Sequence, residues 1–276
     1  MTGGDLYSAV LAIGLSLLPI AAQHDTSVKG LVAAASGYLS GYQKQLSFLL
    51  ADEQITQRVF DEQGREIRQR TMRGEFFVTY ATGNWTSVHD VAEVDGQAVI
   101  GRSDLRQLLQ REPLPALGRR LIERNAAFNI GSITRNFNEP TLALLILDPI
   151  RRSQFTFDRT RVERDGGAEV ATLRFKEKGR PTLVRGMDGR DVSSTGDLTI
   201  EAGTGRIRET FMQFTHGPVV ARLITTYARD SKLDVWVPVT FEERYERGSG
   251  PRPHEVIVCE TTYSNYRRFE VDIRIR

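Results

Sequence analysis

From residue 150 onward the chain repeats one pattern, stretches of about ten residues in which apolar and polar side chains alternate, separated by glycine-containing turns. Phe269, Val271, Ile273 and Ile275 interleaved with Glu270, Asp272, Arg274 and Arg276 are the plainest case. Residues two apart on a strand share a face, so this spacing makes one dry side and one wet side. The same alternation marks Phe155 and Phe157; Ala171, Leu173 and Phe175; Leu198 and Ile200; Ile207 to Phe214; Val219 to Tyr227; Val235 to Tyr245; and Val256 to Ile275, the last dividing near Asn265. Asp165-Gly166-Gly167, Asp188-Gly189, Ala202-Gly203-Thr204-Gly205 and Asp230-Ser231 supply hairpin turns, which place sequence neighbours side by side. No strand-helix-strand rhythm occurs, so a parallel nucleotide-binding sheet is disfavoured.

The first half carries helices as well as strands. Leu6 to Ala22 is almost wholly apolar and ends in Ile20-Ala21-Ala22 before a polar stretch, the form of an export signal, although Asp5 stands where a basic residue is usual. A buried or interfacial helix is the other reading of that run, which is short for a membrane span and contains Gly14 and Pro19. Val28, Leu31, Val32, Ala35, Leu39, Tyr42, Leu46 and Leu49 then recur at helical spacing, with Asp25, Thr26 and Ser27 as capping oxygens. Gly37 and Gly41 either admit a close neighbour or merely weaken that helix. Strands are predicted over Phe48 to Phe60, Arg65 to Tyr80 and Asn84 to Val94, with Asp95-Gly96 as a tight turn. A helical insertion over residues 103–148 follows: Ser103 caps one helix, Pro113 and Pro115 break it, and the all-apolar Leu142 to Leu147 calls for burial. Between them, Asn125 to Asn138 reads as a loop tied down by side-chain amides, or as a cavity rim or lid.

The expected fold class is therefore α+β: a long curved antiparallel sheet, a half-barrel meander, wrapped around an N-terminal helix and inserted helices. Residues 1–22 are expected to be a signal and 23–276 a single domain.

Chemistry-bearing motifs are sparse. Among 276 residues, 37 basic side chains nearly balance 35 acidic ones, so neither nucleic acid nor an anionic surface is favoured. His24, His89, His216 and His254 stand far apart, with no pair at metal-ligand spacing. His89 beside Asp90 is the most suggestive, but strand neighbours point to opposite faces, and a surface or sheet-edge place is expected for it. Cys259 is the only cysteine, which excludes an internal disulfide, and reads as a small packed residue. Serine-hydrolase signatures are missing, and Gly203-Thr204-Gly205-Arg206 lacks the ending of a phosphate loop. No cofactor is implied, and no catalytic residue is assigned.

The layout of signal, long helix, long hairpins, inserted helical segment and final hairpins resembles the half-barrel class of the periplasmic lipoprotein carriers. The stretch from Ser194 through Gly203-Thr204-Gly205-Arg206 to Ile207 is similar to the strand-turn-strand of those carriers. The run Thr262-Tyr263-Ser264-Asn265-Tyr266-Arg267-Arg268-Phe269 resembles the closing strands of uncharacterised secreted bacterial proteins. The resemblance implies an apolar cavity between sheet and helices that takes an acyl chain or another lipid-like ligand. It implies a periplasmic or secreted, non-catalytic binding protein without a stable membrane span in the mature chain. Strand parity assigns the lining to Phe155, Phe157, Leu173, Phe175, Leu198, Ile200, Val237, Val239 and Phe241. The alternative is a filled core, which makes the chain an envelope interaction or sensor module with a protein partner.

Overall fold

The computed structural model describes residues 24–81, 83–135, 139–186, 188–248 and 252–269. The export signal expected over residues 1–22 and the last alternating positions, Val271, Ile273 and Ile275, lie outside them. The first helix, α1, runs over Val28–Leu46 and starts where the sequence places it: the Ser27 hydroxyl accepts the Gly30 N–H at 3.1 Å. Its buried stripe is Leu31, Ala35, Leu39, Tyr42 and Leu46. Gly37 and Gly41 lie on its exposed side, with open space where a side chain would stand, so no close neighbour requires them.

Four strands follow, β1 (Leu49–Phe60), β2 (Glu66–Ala81), β3 (Asn84–Val94) and the short β4 (Gln97–Ala98). The insertion holds α2 (Leu105–Arg111), α3 (Leu114–Ala126) and a single 3-10 segment, Leu142–Leu147. Pro113 separates α2 from α3 as expected, but the cap of α2 is Asp104, one residue after the predicted Ser103. The second half comprises β5 (Phe155–Asp165), β6 (Ala168–Glu177), the hairpin β7 (Val184–Arg185) and β8 (Asp191–Val192), β9 (Ser194–Glu201), β10 (Ile207–His216), β11 (Val219–Asp230), β12 (Val235–Arg247) and β13 (Glu255–Arg268).

Eleven strands form one antiparallel sheet in the order β4-β3-β2-β1-β13-β12-β11-β10-β9-β6-β5, with β7 and β8 paired separately. The sheet does not close into a barrel. Every neighbour pair but two is a hairpin. The exceptions are β6 beside β9, which skips the small hairpin, and β1 beside β13, which runs from Leu49 opposite Arg268 to Phe60 opposite Val256 and joins the two halves. Asn265, at φ 52°, is a local irregularity inside β13 and does not divide it.

Parity sorts the two faces. On the inner face, α1 and the 3-10 segment pack against Leu49, Ala51, Phe76, Val78, Leu173, Leu198, Leu223 and Phe241 in one continuous core. On the opposite face of β1 to β3, α2 and α3 bring Leu105, Leu117 and Leu121 onto Leu50, Phe77, Val88 and Phe269. The turn after β9 shows how closely α1 is held. Gly205 has φ +70° and sits so near the helix that a β-carbon there would lie 2.1 Å from the Ala34 carbonyl oxygen.

Candidate functional site

The nine side chains that parity assigns to a cavity all belong to the core under α1. Leu173, Leu198 and Ile200 are 0% exposed, and Phe155, Phe175, Val237 and Phe241 are buried beside them. Phe157 and Val239 are half-buried and pack against the same cluster. Alternation sends these residues inward, and α1 together with Ala143 to Leu147 of the 3-10 segment supplies the apolar surface that meets them. The structure therefore brings the nine together, with the chain's own helices in contact with them.

Towards β1 and β13 the same inner face becomes polar. After α3 the chain crosses to it: Phe128 joins Ile55, Met72 and Val91, and Ile130 and Ile133 join Val59, Tyr245, Ile257 and Cys259. Amides fasten this strap. Asn125 donates to the His89 carbonyl at 2.6 Å, Gln57 to the Asn129 side chain at 3.1 Å, and Asn129 to the Arg135 carbonyl at 2.7 Å. His89 is buried, not at the surface: its neighbour across the ladder is Phe76 on β2, and its ring reaches past β2 to Glu53 on β1. Its Nδ1 lies 2.8 Å from the Glu53 carboxylate, while Asp90 on the other face meets Arg102 and Arg124 at 2.7 Å each. Burial alone would lower the His89 pKa, but the charge and hydrogen bond of Glu53, with Glu139 and Glu243 farther off, hold it above its ordinary value. Burial likewise pushes the Cys259 thiol up to about 12, which leaves it a packed, unreactive side chain.

Arg135 anchors the end of the strap. It is 7% exposed, and its guanidinium donates to the Ile130 carbonyl at 3.0 Å, the Ile133 carbonyl at 3.3 Å and Gln57 Oε1 at 2.9 Å. It also stacks over the Tyr245 ring at 5.7 Å, and the Tyr245 hydroxyl donates to Glu243 at 2.7 Å. Beside it a crevice of about 230 Å³ opens on the inner face. Its floor is apolar, formed by Ile133, Val184, Val192, Phe214, Val219, Ala221 and Tyr245, and Thr134, Arg135, Arg185, Gly186 and His216 complete it. Sequence reasoning missed this place, since strap, small hairpin and sheet contribute to it from three separate segments. The amide-rich composition of Asn125 to Asn138 was the one signal for it.

Three wider clefts lie elsewhere. One of about 460 Å³ is lined by Trp85, Glu139, Leu142, Leu145, Arg151 and Leu183. A second, about 750 Å³, crosses strands β5 to β12 at Arg161, Asp197, Arg208, Phe211, Ile224 and Trp236, and a third, about 560 Å³, lies at Asp52, Glu53, Arg73, Glu75 and Arg102. Adjacent arginines are engaged structurally: Arg151 and Arg152 reach Asn84 and Ser36, Arg267 reaches Asp52, and Arg268 donates to the Gln45 carbonyl. Among the described residues no group of three or more His, Cys, Asp or Glu side chains is arranged to hold a metal ion, and no helix is long and apolar enough to cross a membrane.

Neither a protein-family model nor a curated protein sequence matches the chain. Among solved structures it is similar to a domain assigned to outer membrane lipoprotein sorting from Vibrio parahaemolyticus, at 13% identity and a TM-score of 0.39, over 89% of this chain and 95% of that one. It is also similar to a DUF1329 family protein from Desulfovibrio piger, at 12% identity and a TM-score of 0.40, over 90% and 95% of the two chains. MucB in complex with MucA matches at 9% identity and a TM-score of 0.17, over 86% of this chain and 99% of that one.

Proposed function

We propose that this chain is a non-catalytic binding protein of the cell envelope that holds an apolar guest, a lipid or an acyl chain, on the inner face of its sheet. The observation that carries this reading is the crevice of about 230 Å³, an apolar hollow on the stretch of inner face between the strap and the small hairpin. Buried polar atoms of the same layer support it. The hydroxyls of Tyr42 and Tyr263, Trp85 Nε1 and Glu53 Oε2 have no hydrogen-bond partner among the described residues. Each such group costs about 1–3 kcal/mol, so this layer is not at its packing optimum. In this reading the nine apolar side chains under α1 join the lining when the helix moves off the sheet.

Native mass spectrometry of the purified chain, compared with a Thr134→Trp variant, tests the proposal. Thr134 is exposed at the crevice, so the indole fills the hollow without entering the core. A lipid-sized adduct on the parent chain that is lost in the folded variant is expected. An adduct-free parent chain in repeated preparations from lipid-containing extracts would defeat the proposal. A second reading, an envelope interaction module, is favoured by the close packing of Leu173, Leu198 and Ile200 beneath α1. It predicts a stoichiometric protein partner and no adduct.

A further inference from the structure

We infer that the crevice beside Arg135 selects a single acyl chain with a carboxylate head, a ligand class that rests on the binding role proposed above. Charge on the lining has one sign. Arg135, Arg185 and His216 are its titratable basic side chains, and no Asp or Glu lines it.

Arg135 is the unusual member. Its hydrogen bonds all go to neutral acceptors, three of them oxygens and the fourth Cys259 Sγ at 3.6 Å, and among the described residues no carboxylate lies within 4.0 Å of it. Glu243 belongs to the same buried layer, but its Oε1 accepts the Tyr245 hydroxyl. A buried guanidinium whose contacts are neutral acceptors places a positive charge at the wall of the crevice.

At the rim, His216 at the end of β10 lies against Gly186 at the end of β7. A β-carbon on Gly186 would stand 2.4 Å from the imidazole Cε1, so only the bare backbone admits the ring there. Arg185, the preceding residue, has an exposed side chain. The nearest acids are already engaged by shorter contacts. Asp191 accepts the Thr182 N–H at 2.9 Å and lies 3.2 Å from Arg180, and Asp188 accepts the Arg190 N–H at 3.0 Å. Their approaches to Arg185 and His216 are 3.9 Å and 3.7 Å, too long for hydrogen bonds, so the Arg185 guanidinium and the His216 ring both keep a donor position for another anion. A carboxylate at Arg185 and His216 would leave its chain against Phe214, Val219, Ala221 and Val184. The volume lies below the roughly 300–1,000 Å³ of usual ligand pockets, which favours one short chain over a multi-chain lipid.

Titration calorimetry with octanoate, octanol and octylamine on the full chain tests the inference. Octanoate is expected to bind about tenfold more tightly than octanol, and octylamine least. Arg185→Glu is expected to weaken octanoate about tenfold while leaving octanol unchanged. Arg190→Glu, an exposed basic residue outside the lining, should change nothing. Equal binding of octanoate and octanol, or an Arg185→Glu variant that retains full octanoate affinity, would overturn the carboxylate assignment and leave the apolar site standing. Failure of all three probes to bind would overturn the binding role on which the assignment rests.

Discussion

The inner face of the sheet is two surfaces made by one rule. Over β6, β9 and β10, alternation delivers Leu173, Leu198 and Met212 to the core under α1, where burial of apolar area dominates. Over β1, β12 and β13, the same alternation delivers Glu53, Gln57, Glu243 and Thr261, all buried; the strap meets Gln57 with an amide and a guanidinium, while Glu53 pairs with His89 and Glu243 with Tyr245. The apolar half depends on shape, which tolerates any well-filled arrangement. The polar half depends on specific pairings, each of which leaves an expensive orphan when broken. The crevice of about 230 Å³ lies beside this second surface.

The sharpest way to break this contrast is a charge in the apolar half. Phe241→Asp is expected to prevent folding, as seen by loss of the cooperative urea transition, whereas Thr240→Asp on the other face should leave the midpoint unmoved. Equal effects would mean that the faces are wrongly assigned. Leu198→Ala, in the tightest part of that half, should cost about 3 kcal/mol by denaturant titration. In the polar half, Arg135→Ala should cost about 2 kcal/mol by stranding the Ile130 and Ile133 carbonyls, and should raise protease sensitivity within residues 128–135. No such cleavage is expected in Leu198→Ala. The smallest effect is one of pH. Because the folded His89 pKa lies above its unfolded value, the pair with Glu53 stabilises fully below about pH 6.5, and that contribution fades as pH rises through the folded value. Urea midpoints between pH 6 and 9 should fall in the parent chain and be flatter in His89→Gln.

The hairpins were legible because each depends on turn residues and alternation within a few positions, as at Asp165-Gly166-Gly167 and Ala202 to Gly205. The pairing of β1 with β13 was not. Its register sets Leu49 against Arg268, from opposite parts of the sequence, and no local pattern encodes that choice. The amide-tied loop was read correctly from the Asn125 to Asn138 composition, but its destination was not, since Gln57 looks like an ordinary solvent-facing residue of an alternating strand until the loop crosses to it. The same ambiguity hid the burial of His89. Parity found the nine apolar residues, yet only coordinates could show α1 lying on them, because a helix stripe and a sheet face carry no mutual address in sequence.

The seam between β1 and β13 also sets a timetable. Strand β1 has its immediate successor β2 on one side, but its other side waits for β13, which begins only at Glu255. A polypeptide threaded N-terminus first through a narrow channel would hold that clasp undone until β13 arrived, and the strap and the first helix would have only half a floor to rest on. Such a topology defers the meeting of β1 and β13 until every intervening strand has emerged.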